Sequence, residues 1–96
     1  MVESNLPTLQ EYIKEFDFNP ADKSAYFLKL SEEMGELAEA MRKDQRLHDT
    51  GSIKGTIEEE LCDVLYYVIA LANVYGIDLE ESFRLKDEIN KLKWNR

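Results

Sequence analysis

The chain has 96 residues, 12 Lys+Arg against 20 Asp+Glu, a formal net charge of −8, one His and one Cys. This length fits one domain over residues 1–96, with a modest core, because chains of this size bury only about 60–65% of their unfolded surface. The acidity excludes a general attraction for nucleic-acid backbone or anionic membrane, and a lone Cys builds neither an internal disulfide nor a Cys-based zinc site.

The first seven residues, Met1 to Pro7, show no basic region followed by an apolar run, so no secretory leader is expected. The most apolar stretch, Leu61 to Ile77, has 17 residues and contains Asp63 and Asn73. That is too short and too polar for a membrane span. A soluble, cytoplasmic protein with no membrane or nucleic-acid partner is the expectation.

Start and stop signals divide the chain into four helical pieces. Thr8 with Glu11 reads as a capping box that opens a short helix to about Phe16. Asn19-Pro20 offers an N-cap and a proline for the first position of a second helix to about Asp44. Its apolar stripe is Phe27, Leu30, Met34, Leu37 and Met41, at helical spacing. Residues 45–55 carry two glycines and no periodicity, and read as a loop. Thr56 with Glu59 opens a third helix through Tyr75, with Gly76 suited to its C-terminal cap. Asp78 with Glu81 opens a fourth, which would turn Leu79, Phe83, Ile89 and Leu92 inward. No segment alternates with period 2, so the fold class is all-α: a four-helix bundle completed by oligomerisation. The reason for oligomerisation is the third helix. It is apolar all round, and so small a bundle hardly covers every side of it.

The third helix also places a carboxylate where one is costly. Asp63 is the sole charged residue between Leu61 and Ile77, and an ionised group in such a setting needs a compensating partner. At about 100° per residue, Glu60, Asp63 and Tyr67 share one row. On the second helix, with Leu30 at 0°, Glu33 falls near 300°, Lys29 near 260° and Glu36 near 240°, using the roughly 100° step. Packed against each other, the helices would bring ExxE to face ExxD. Four converging carboxylates repel unless a cation lies between them. All-oxygen ligands suit Mg²⁺, with Mn²⁺ as a substitute. Such an ion would let an acidic protein bind a polyphosphate. The competing reading is a buried salt bridge from Asp63 to a Lys or Arg, with the remaining glutamates a solvated face.

Lys29-Leu30-Ser31-Glu32-Glu33-Met34-Gly35-Glu36-Leu37 and Glu59-Glu60-Leu61-Cys62-Asp63-Val64-Leu65 together resemble the MazG-type nucleotide pyrophosphohydrolase signature, EExxE followed by ExxD. Here 23 residues separate Glu36 from Glu60. The similarity extends to Ile77-Asp78-Leu79-Glu80-Glu81 and Lys86-Asp87-Glu88-Ile89-Asn90, and covers roughly residues 8–93. The resemblance implies an all-α, Mg²⁺-dependent enzyme. It would hydrolyse nucleoside triphosphates between the α and β phosphates to a monophosphate and pyrophosphate, in nucleotide-pool housecleaning. Carried over by position, Glu33, Glu36, Glu60 and Asp63 match metal ligands. Glu32 matches the first Glu of EExxE, which orients water or serves a second metal. Tyr67, Lys86 and Asn90 match positions near the nucleotide, and Lys29 stands where it could offset phosphate charge. Glu32 or Glu33 would accept the proton of the attacking water. The single copy of the core implies a homodimer or a dimer of dimers. Aromatics near the N-terminus are limited to Tyr12, Phe16 and Phe18, and the tail ends at Arg96. Base selectivity is therefore not fixed by these motifs. Two other functions fit the same residues: hydrolysis of phosphoribosyl-ATP on this fold, and a non-enzymatic acidic helical interaction module.

Overall fold

The computed structural model describes residues 5–95. Residues 1–4, part of the stretch read for a leader, and Arg96 lie outside them. The helices are α1 (Leu6–Phe16), α2 (Lys23–Lys43), α3 (Leu47–Thr50), α4 (Ile57–Val74) and α5 (Leu79–Trp94), with a 3₁₀ turn at Pro20–Asp22. There is no strand among the described residues, and the all-α class holds.

Four long helices match the four expected pieces, with corrections at their ends. α1 starts earlier than Thr8, because Asn5 is its N-cap and accepts from the Thr8 N–H at 2.9 Å. Asn19-Pro20 opens the 3₁₀ turn rather than α2 itself, and Asn19 makes no side-chain cap bond. Thr56 and Asp78 cap as expected, accepting from the Glu59 and Glu81 N–H groups at 3.2 and 3.1 Å. The segment read as a loop contains the one-turn helix α3. Glu58 of α4 holds it from outside, accepting from the Leu47 N–H at 3.1 Å and pairing with Arg46 at 3.0 Å.

Leu30 lies beside Val68 and Leu71, Glu33 beside Asp63 and Glu60, and Ala40 near Glu60. Residues ascending α2 meet residues descending α4, so these helices form an antiparallel pair. α1 crosses α4, and Ile13, Tyr26, Ile69, Ala70 and Val74 form the core. Full burial of a side chain such as Ile69 stabilises by about 1.5–3 kcal/mol. A polar clasp closes the same corner. The Gln10 side-chain N–H₂ donates to Asn73 Oδ1 at 2.9 Å and to the Ile77 carbonyl at 2.8 Å. Gln10 Oε1 accepts from the Leu79 N–H at 3.0 Å, and Asn73 Nδ2 donates to the Gln10 carbonyl at 2.9 Å. This clasp sets where α5 begins.

The inward assignment of α5 is corrected. Leu79 packs on the core, but Phe83, Ile89 and Leu92 are exposed at 72, 57 and 87%. α5 packs mainly on α1, and among the described residues that face stays exposed. The α2 stripe divides in the same way: Leu30 and Leu37 are half-buried against the chain, while Phe27, Met34 and Met41 are exposed. Among the described residues no single helix is long and apolar enough to cross a membrane. α4 and α5 pass that test only as a pair, bent by 101°.

Candidate metal centre and adjoining hollow

Three of the four expected ligand positions come together. Glu33 of α2 and Glu60 and Asp63 of α4 each offer a carboxylate oxygen, and these atoms all lie within 4.8 Å of one another. All three side chains are half-buried. Glu36 stands outside the trio. It is exposed and borders a polar recess with Lys43, Gln45 and Glu60.

Local structure explains why α4 delivers its two carboxylates here. The Ile57 N–H donates to the Gln45 carbonyl at 2.9 Å, which ties the start of α4 to the end of α2. Thr56 is fully buried and caps the helix. Gly55, at φ +79°, turns its N–H onto Glu59 Oε1 at 2.8 Å. A left-handed backbone of this kind favours glycine. With the first turn fixed, Glu60 and Asp63 fall on the face that meets α2.

The trio lacks internal compensation. Glu60 Oε2 is buried with no hydrogen-bond partner. Among the described residues none of the three makes an ion pair, so the salt bridge considered for Asp63 is absent. Burial raises the Glu33 carboxyl above its ordinary value, reinforced by Asp63 and Glu36 and opposed by Lys29. Burial likewise raises Glu60, followed by Asp63 and Glu33, and raises Asp63, followed by Glu59. Each loses hydration as an anion and faces like charge.

One helical turn beyond the trio, a hollow opens between the α1–α2 connection and α4. Lys29, four residues before Glu33, and Tyr67, four after Asp63, both line it. Asp17, Asn19, Asp22, Ala25 and Tyr26 complete its wall. Lys29 pairs with Glu32 at 3.3 Å, both are exposed, and Glu32 is not among the three carboxylates that converge. Lys86 and Asn90 do not line the hollow. No spacing in the sequence marks Asp17 or Tyr26, and Asn19 reads there only as a helix cap. Asp17 and Asn19, from the connection, are held there by the Tyr26 hydroxyl of α2.

Comparison with known proteins gives one consistent result. The model of the MazG nucleotide pyrophosphohydrolase domain matches residues 22–94. The crystal structure of iMazG from Vibrio DAT 722 superposes with a TM-score of 0.85 at 49% identity, covering 96% of this chain and 99% of that one. The Bacillus-conserved MazG protein, described as a nucleotide pyrophosphohydrolase, superposes at 0.61 with 34% identity, covering 96 and 93%. An uncharacterised Bacillus subtilis (strain 168) protein, YpjD, is 32% identical over 94 residues, 92% of this chain and 85% of YpjD.

Proposed function

The chain belongs to the MazG nucleotide pyrophosphohydrolase family, and from that membership we propose that it hydrolyses (deoxy)nucleoside triphosphates between the α and β phosphates in a Mg²⁺-dependent reaction, releasing monophosphate and pyrophosphate. It is a hydrolase acting on nucleotide pyrophosphate bonds. The non-enzymatic module reading is thereby set aside. The role we assign is housecleaning of the cytoplasmic nucleotide pool.

One observation carries the reading: the Glu33–Glu60–Asp63 trio with the buried, unpartnered Glu60 Oε2. An orphaned anionic oxygen among hard oxygen donors fits Mg²⁺, or Mn²⁺ in its place. Glu33, Glu60 and Asp63 would hold the ion, with Glu36 beside them. When bound, it would withdraw charge from the triphosphate oxygens.

In the reaction, a water oxygen bonds to the α-phosphorus. The bond from that phosphorus to the αβ-bridging oxygen breaks, and pyrophosphate leaves with the electron pair. Glu33, on the trio, is one candidate to accept the water proton. Glu32, drawn to Lys29, is the second candidate. Lys29 would offset phosphate charge, and Tyr67 would line the nucleoside end. Lys86 and Asn90 ride on α5 outside the hollow, so their contact with substrate depends on how a second copy sits. The exposed apolar faces of α2, α4 and α5 support a homodimer or a dimer of dimers.

The test is incubation with each common dNTP and NTP and with phosphoribosyl-ATP, with and without Mg²⁺, and separation of products by ion exchange. Asp63→Ala is the control. Monophosphate plus pyrophosphate, dependent on Mg²⁺ and Asp63, is expected. Diphosphate plus orthophosphate would overturn the bond assignment. Turnover of phosphoribosyl-ATP alone would move the substrate assignment there.

A further inference from the structure

We propose that Asp17 is a positioning residue for the nucleotide, its carboxylate clamped between a tyrosine of α2 and a tyrosine of α4 so that the wall of the hollow is fixed where the nucleoside end lies. This rests on the nucleotide reading above. Tyr26 donates its hydroxyl to Asp17 Oδ1 at 2.9 Å, and Tyr66 donates to Oδ2 at 3.0 Å. The Asn19 N–H donates in turn to the Tyr26 hydroxyl oxygen at 2.8 Å. Both carboxylate oxygens are thus held by groups 9 and 49 residues away.

Two features set this clamp apart from a corner staple. First, the corner is already held by the Ile13–Ile69–Val74 core and by the Gln10–Asn73 clasp. Second, the clamp leads towards the site. The Tyr66 ring stands edge-on to Tyr67, with centroids 5.0 Å apart and planes at 74°. Tyr67 faces the hollow, as do Asp17 and Tyr26 themselves. Burial, then the bond to Asp17, pushes the Tyr66 hydroxyl up to about 12, so it remains a proton donor at neutral pH. Rotation of Asp17 would free both tyrosines and let the aromatic wall move relative to the carboxylate trio. Misplacement of about 1 Å is enough to disturb a bound substrate.

The experiment compares Tyr66→Phe, Asp17→Asn and Asp17→Ala with the wild-type chain, in Mg²⁺, on the four common dNTPs. Tripolyphosphate, which has no nucleoside, serves as a competing ligand. For the dNTP that wild type turns over fastest, KM should rise about tenfold, equivalent to about 1.4 kcal/mol, with kcat within about twofold. The inhibition constant for tripolyphosphate should not change. Asp17→Asn, which keeps one acceptor oxygen, should fall between wild type and Asp17→Ala. If Asp17→Ala does not fold, Tyr66→Phe still decides, because it loses one hydroxyl and keeps the ring. An unchanged KM in variants of wild-type helicity overturns the proposal. So does a parallel weakening of tripolyphosphate, which would place the effect at the trio. No turnover by the wild-type chain overturns the nucleotide reading itself, and the clamp proposal with it.

Discussion

Glu33 and Glu60, 27 positions apart in the sequence, present carboxylate oxygens within 4.8 Å of each other across the α2–α4 contact. Asp63 joins them, and no basic side chain among the described residues pairs with any of the three. Two helices that pack well elsewhere carry an electrostatic conflict at their meeting point.

That conflict predicts a pH dependence. Burial and like charge hold Glu33, Glu60 and Asp63 above their ordinary values, so the folded chain binds protons more readily than the unfolded chain. Stability without metal should therefore fall as pH rises from the ordinary carboxylate range through the raised values, and stay low at neutral pH. Glu39, held low chiefly by Arg42, acts in the opposite sense, and only as pH falls below its ordinary value of 4.5. Mg²⁺ should raise the melting temperature at neutral pH and flatten the slope. Thermal melts between about pH 4 and 8 check this, spanning ordinary carboxylate titration and neutrality. Equal slopes with and without Mg²⁺ would rule out a cation site at the trio.

Glu60→Gln separates the two consequences of the cluster. The variant removes one anion, and the new amide can donate to Glu33 or Asp63. Its metal-free form should melt above wild type. Its Mg²⁺-dependent turnover should drop roughly a hundredfold or more, the scale seen when a group that stabilises developing charge is lost. Retained turnover would remove Glu60 from the site.

The sequence carries these carboxylates plainly, because helical spacing is local and Asp63 stands out in an apolar run. Thr56 and Asp78 are legible as caps for the same reason. What escapes is non-local. α3 depends on Glu58, which reaches Leu47 from 11 residues away. Asp17 belongs to no motif in the sequence, yet its partners come from α2 and α4. The α2 stripe shows a different limit. A helical wheel gives one apolar arc, but the fold divides it between Leu30 and Leu37 towards the chain and Phe27, Met34 and Met41 towards the outside. Periodicity marks a face as apolar without saying which surface covers it.

Asn73→Ala tests the clasp that positions α5. Asn73 is buried at 8% exposure and bonds α1 in both directions. The truncation strips Gln10 of one acceptor and leaves the Gln10 carbonyl without its donor. A cost of about 1–3 kcal/mol is expected, the scale for a partly buried carbonyl losing its donor. Urea titration followed by circular dichroism measures it. A cost under about 0.5 kcal/mol, the usual range of surface substitutions, would show that water replaces the clasp freely.

Leu61 and Leu65 on α4, with Met34 on α2 and Phe83 and Leu92 on α5, leave large apolar side chains in water if the chain stands alone. Contiguous exposed patches of more than a few hundred Å² are rare on monomers. Met34, Leu61 and Leu65 lie on the two helices that carry the trio, so a second copy would cover α2 and α4 from outside. Light scattering should give at least twice the 11.2 kDa chain mass. Leu65→Glu, which places a charge in that face and leaves every trio residue intact, should shift the mass towards 11.2 kDa. It should lower the melting temperature in a concentration-dependent way, because dissociation then competes with folding. A wild-type chain that runs at monomer mass at all concentrations would leave these faces to a different partner and sink the homo-oligomer.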